Sequence, residues 1–238
     1  MMPSMRSLVA VVLVSSSAGV GAAEPAKYPA MAPIEAYRIK DAAQEVALAR
    51  SAAAPAISSE AEVLVLGSRG YETAVKGKNG WVCLVYRSWE ATFSDSEFWN
   101  PKVLSPNCFN PVAARTELPK TTKRTEWVLA GATKDQVIEK TRAAIADHTV
   151  RDPEPGAFSF MLSKHGYITD RAPGPWLPHM MFFLPHGQAA AWGANQEGSP
   201  VLGQDASELE TTVLFVPVRK WSDGTEAVDG GTQHTHTH

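Results

Sequence analysis

The chain has 238 residues, with 22 Lys plus Arg against 25 Asp plus Glu and a formal net charge of −3 at pH 7. A surface that tracks phosphates needs a basic face large enough to raise the charge of the whole domain, so no nucleic-acid partner is expected. The apolar run near the start, Leu8 to Val14, falls far short of the roughly 20 residues that cross a hydrocarbon core, and no later run approaches that length, so no integral membrane segment is expected.

Residues 1–23 have the layout of a secretion signal: Arg6, the apolar run, then small residues ending at Ala22 and Ala23. No cysteine follows the small residues and no twin-arginine pair precedes the run. Sec-type export to the periplasm or the medium is therefore expected, without a lipid anchor. Losing this segment removes Arg6 and takes the net charge from −3 to −4. Residues 24–33, punctuated by Pro25, Pro29 and Pro33, read as an extended leader, because proline removes backbone donors and breaks helices. Residues 34–229 read as one globular domain.

Within that domain, residues 34–54 are rich in Ala, Glu, Gln, Arg and Leu and predict one amphipathic helix ended by Pro55. Residues 63–66, Val-Leu-Val-Leu, have the continuous apolar character of a strand buried on both faces. Residues 71–76 and 81–86 flank an Asn79-Gly80 pair and predict a β-hairpin. Residues 94–111 read as a long irregular stretch with Phe98, Trp99 and four prolines or cysteines among them, after which Asn110-Pro111 predicts a helix start and Pro119 its end. Residues 121–130 are weakly helical. Thr133 with Gln136 matches a capping box, and Val137, Ile138, Thr141, Ala144 and Ile145 place an apolar stripe along the helix that follows. Strands return at 158–162, 180–184, 189–192 and 211–218. Strands on either side of a helical block predict an α+β fold, an antiparallel or mixed sheet with helices packed against it. The tail, residues 230–238, is expected to be disordered.

Cys83 and Cys108 are the only cysteines, an even number in an exported chain, and a disulfide between them is expected. Closing a loop of about 26 residues stabilises a fold by roughly 3.5 kcal/mol on a chain-entropy account, and here it is expected to pin the irregular stretch to the hairpin. Two separate buried thiols or a reactive thiol are the alternatives. Among histidines, His165, His179 and His186 are candidate ligands of a zinc or copper ion, although no recognised metal spacing is present. The alternating His234, His236 and His238 form a further, weaker chelating pattern. Trp99 and Trp176 stand in proline-rich loops beside polar residues, and with His179 they are the candidate contacts to an unknown small ligand. Lys120, Lys123 and Arg124 read as a solvated helix face. Gly67-Ser-Arg-Gly70 reads as a tight turn, because it lacks the third glycine and following helix of a dinucleotide loop.

The stretch 77–89, with Trp81-Val-Cys83-Leu-Val-Tyr86, together with Phe98-Trp99-Asn100-Pro101, Cys108-Phe109-Asn110, Trp192-Gly193-Ala194-Asn195 and Trp221-Ser-Asp-Gly-Thr225, resembles a group of exported bacterial proteins left as hypothetical. The resemblance implies export and one domain, and it carries no activity. The residues point to a non-enzymatic ligand-binding domain. A hydrolase with a cysteine- or histidine-centred site and a metal-binding protein are the other two readings.

Overall fold

Strand β1 (Glu62–Leu66) sends apolar side chains to both faces, so it is most stable inside a sheet with a neighbour on each edge. It pairs antiparallel with β2 (Tyr71–Val75) and parallel with β3 (Val82–Tyr86). The expected β2–β3 hairpin is thereby corrected: β1 lies between the two. Asn79-Gly80 does turn the chain, with Gly80 at φ 77°, but the turn wraps past the end of β1, where Lys78 N donates to Glu60 O and Glu62 N to Trp81 O. A Cβ on Gly77 would collide with the Glu62 backbone, so glycine permits that crossing. The mostly exposed β2 takes the edge, which leaves the apolar β1 covered on both sides.

This computed structural model describes residues 27–170, 177–206 and 211–227. The readings made for the secretion signal, for Trp176 and for the tail histidines lie outside the described residues. The remaining strands are β4 (Ser105–Phe109), β5 (Phe158–Met161), β6 (His179–Pro185), β7 (Leu202–Ala206) and β8 (Thr211–Pro217). They complete one mixed eight-stranded sheet of order β2-β1-β3-β4-β5-β6-β8-β7, antiparallel except at β1–β3. The fold is α+β.

The stretch 94–111 is less irregular than expected, because β4 runs through it as a wholly buried strand. Cys83 and Cys108 are directly paired residues of β3 and β4, with Cα atoms 4.0 Å apart and sulfurs at disulfide-bonding distance. The bridge therefore links neighbouring strands, where a loop-to-hairpin staple was expected.

Helices cover both faces. The single helix expected over 34–54 is divided: a 3-10 turn at Ile34–Tyr37, then α1 (Ala42–Arg50), whose start is fixed by Asp41 accepting from Ala43 N at 2.8 Å. Pro55 opens the short α2 (Pro55–Ser58), consistent with proline's fit at a first helical position. Asn110 caps α3 (Pro111–Thr116), and Pro119 lies in the first turn of α4 (Leu118–Leu129), a full helix where only weak propensity was read. The capping box of Thr133 and Gln136 starts α5 (Lys134–Ala146). Residues 190–192 form a 3-10 turn closed by Gly193 at φ 66°, in place of the strand expected there.

Alternation assigns each strand residue to a face. Val63, Cys83, Val85 and Cys108 pack with Ala49, Ala52 and Ala53 on the α1 side. Leu64, Leu84, Phe109, Met161, Met181 and Phe183 pack on the other side, towards α3 and α4. A third cluster, built on Tyr37, Leu66, Trp89, Phe98, Trp99 and Val128, extends the core beyond the β1 end of the sheet.

Candidate functional site

Along α4 the inward positions are Leu118, Thr121, Arg124, Thr125 and Val128, an i, i+3, i+4 stripe whose middle is polar. A stripe of that composition cannot close down on an apolar sheet face, because burying hydroxyls and a guanidinium without partners costs several kcal/mol. Helix and sheet instead enclose a cavity of about 690 Å³. Its floor is Met161 of β5, Met181 and Phe183 of β6, and Val213 and Phe215 of β8, all on one face of the sheet. Thr121, Arg124 and Trp127 of α4, with Thr141 and Ala144 of α5, form the roof.

The polar wall starts at a 3-10 turn, Ser88–Glu90, that follows β3. Arg124 Nη1 donates to Trp89 O at 2.9 Å and to Ala91 O at 3.1 Å, and its guanidinium lies over the Phe93 ring at 4.1 Å. This fixes the turn against the helix. Thr125 Oγ1 accepts from Trp89 Nε1 at 3.0 Å and donates to Glu90 Oε1 at 3.2 Å. Burial raises the Glu90 carboxyl to about 7, opposed by the Arg124 charge and by hydrogen bonds from Thr125 and Thr121. Glu90 therefore changes charge near neutral pH inside a largely apolar space.

Further along α4, Lys120 Nζ donates to Glu117 Oε1 at 3.2 Å and to Thr211 Oγ1 of β8 at 3.0 Å, closing that end of the cavity. Burial raises the Glu117 carboxyl, and Lys120 opposes the shift. His179 enters the cavity from β6, with Nδ1 2.8 Å from Leu177 O, and burial lowers its pKa. At the rim, Glu97 accepts from Thr169 Oγ1 at 2.8 Å and from Asp170 N at 2.9 Å. Asp170 in turn takes hydrogen bonds from Lys27 and Tyr28 of the leader, from Lys102 and from Tyr167, and the first three, Lys27 most, hold its carboxyl well below the usual carboxylate range. The end of the leader is thus fastened beside the cavity mouth.

The candidates read from the sequence are dispersed. His179 lines the cavity. Trp99 does not: it is 7% exposed, packs edge-on to Phe98 at 4.7 Å, and its carbonyl accepts from Tyr37 Oη at 2.9 Å. Trp176 lies outside the described residues. His165 sits in the loop after β5, and His186 follows β6 at the end opposite His179. No three His, Cys, Asp or Glu side chains group as metal ligands among the described residues. Both cysteines are fully buried and bonded to each other, so neither offers a thiol.

The Lys120, Lys123 and Arg124 cluster is corrected as well. Only Lys123 is a solvated side chain, while Arg124 is 4% exposed and Lys120 is tied to Glu117 and Thr211. The signal that would have shown this is positional: Arg124 falls between Thr121 and Val128 on the stripe that begins at Leu118 and must face inward. Glu90 left no comparable mark, since nothing in Ser-Trp-Glu shows that the turn opens on a cavity.

No protein-family model, curated protein or solved structure matches the chain. Among the described residues no helix is long and apolar enough to cross a membrane.

Proposed function

We propose that the chain is an exported, non-enzymatic binding protein that holds a small, predominantly apolar molecule between its sheet and α4. The observation that carries this reading is the cavity of about 690 Å³ with an apolar floor and a few converging polar groups. Ligand sites of roughly 300 to 1,000 Å³ typically combine those two features. Export rests on the secretion-signal layout of residues 1–23 and agrees with the paired cysteines, since disulfides persist in oxidising compartments. N-terminal sequencing of protein recovered outside the cytoplasm should begin near Glu24, and a product that keeps Met1 would refute export.

Binding is tested with the neutral apolar dye N-phenylnaphthylamine. Its fluorescence should rise saturably, with one site per folded chain and micromolar affinity. Val213→Phe, which adds a ring to the cavity floor, should weaken binding at least about tenfold, a loss of about 1.4 kcal/mol. Absent or non-saturable binding, or full affinity in a folded Val213→Phe protein, sinks the proposal.

A further inference from the structure

The charges around the cavity are unevenly distributed. Glu90, Asp95, Glu97, Glu117 and Asp205 line it on the acidic side, and Arg87, Lys120, Lys123 and Arg124 on the basic side. Two of the four cations are engaged outside the cavity: Arg87 Nη2 pairs with Glu45 Oε1 at 2.8 Å, and Lys123 Nζ with Glu126 Oε2 at 3.2 Å. The other two are engaged within it, Lys120 by Glu117 and Thr211, and Arg124 by the Trp89 and Ala91 carbonyls. Among the described residues, five carboxyl groups thus line the cavity against four cations, and each of those cations has a protein partner.

A second, independent observation lies two residues from Glu90. Ser88 lines the cavity and is 1% exposed, and its hydroxyl has no hydrogen-bond partner among the described residues. A buried hydroxyl without a partner costs about 1–3 kcal/mol, so a ligand donor that reached it would recover part of that cost. Ser88 and Glu90 belong to one 3-10 turn and line one cavity, and together they offer acceptor oxygens to a donor-rich head group. An ammonium carries three donors and no acceptor, the complement of such a wall.

We infer that the cavity selects an amphipathic cation, an apolar chain or ring against Met181, Phe183, Val213 and Phe215 with an amine head at Ser88 and Glu90. This rests on the binding reading above and adds the sign of the ligand. Binding should also follow pH. The groups that act on Glu90 are Arg124, Thr121 and Thr125 from α4, and Glu90 in turn acts on Tyr71 of β2 and Tyr86 of β3. Burial raises both tyrosine hydroxyls well above their ordinary value, so they stay neutral. Elsewhere on the wall, His179 gains its proton only below its ordinary range, and a charged His179 would add repulsion in the same direction.

The test compares decylamine, decanol and decanoate by calorimetry, below their aggregation concentrations. At about pH 8 decylamine should bind about tenfold tighter than decanol, with decanoate weakest, the scale of one favourable charge contact. At about pH 5.5 the amine remains protonated while Glu90 does not ionise, and the preference should shrink to under about threefold. Folded Glu90→Gln should show the small preference at both pH values. Should that variant fail to fold, the pH profile of the unaltered protein decides. Decanoate or decanol binding as tightly as decylamine at about pH 8 overturns the inference and leaves the binding reading standing. No binding by any of the three removes both.

Discussion

The two faces of the sheet carry helices, α1 of 9 residues and α4 of 12, and meet them in opposite ways. On one face α1 presents Ala49, followed in the chain by Ala52 and Ala53, side chains small enough for the helix to lie flush on Val63, Cys83, Val85 and Cys108. On the other, α4 presents Thr121, Arg124 and Thr125 inward, and their partners are carbonyls, hydroxyls and a carboxylate at its edges while the strands beneath are lined with Met, Phe and Val. The first face closes and the second stands open. Helix–sheet packing thus follows side-chain volume and polarity along the contact stripe more than overall helix hydrophobicity. The open face can hold something.

The strongest way to break the contrast is at the link between the two sides. Glu45 of α1 is buried, pairs with Arg87 at 2.8 Å, and accepts from Leu66 N at 3.1 Å, while Arg87 also donates to Tyr37 O at 2.7 Å and lines the cavity. Glu45→Ala leaves a guanidinium buried without its carboxylate. It should lower stability by about 3–5 kcal/mol in urea unfolding, the usual cost of removing one partner of a buried pair. A loss under about 1 kcal/mol would mean that water or a rotamer change relieves Arg87, and the link would then be weak.

A second experiment sharpens the electrostatic side. The Glu90 carboxyl is raised from 4.5 to about 7 in the fold, so between these values the folded state binds more protons than the unfolded chain. By linkage, stability falls as pH rises from about 4.5 to 7, and the full cost is present above 7. Relative to the unaltered protein, Glu90→Gln should gain up to about 3 kcal/mol between pH 4 and pH 8, read from denaturation midpoints at both. A pH-independent difference would show that Glu90 titrates normally and that its site is wetter than its geometry implies.

The smallest effects compare packing directly. Ala49→Leu on the closed face should cost about 1–3 kcal/mol, because added carbons have nowhere to go in a filled contact. Val213→Ile on the open face adds one methylene towards the cavity and should change stability by less than about 0.5 kcal/mol. Equal costs in thermal melts would mean that the two faces are equally filled.

Much of this architecture is legible in the chain. Val63 to Leu66 announces a strand buried on both faces, the Thr133 capping box starts α5 as expected, and Asn110-Pro111 starts α3. These signals are local, carried by side chains within a turn or two of one another. The partner of β1 is not local. Asn79-Gly80 gives a turn, but whether the turn makes a hairpin or a crossover depends on which strand most needs cover, a question settled across the sheet.

By itself, then, the sequence determined the class of fold, the starts of α3 and α5, the buried strand β1 and the expectation that the two cysteines join. The tertiary structure alone decided that those cysteines face each other across β3 and β4, that Trp99 lies in the core, and that Glu90, Arg124 and His179 share a cavity. The reason is physical. Periodicity records which side of its own element a residue occupies, and a cavity exists only where two such sides meet without filling the space between them.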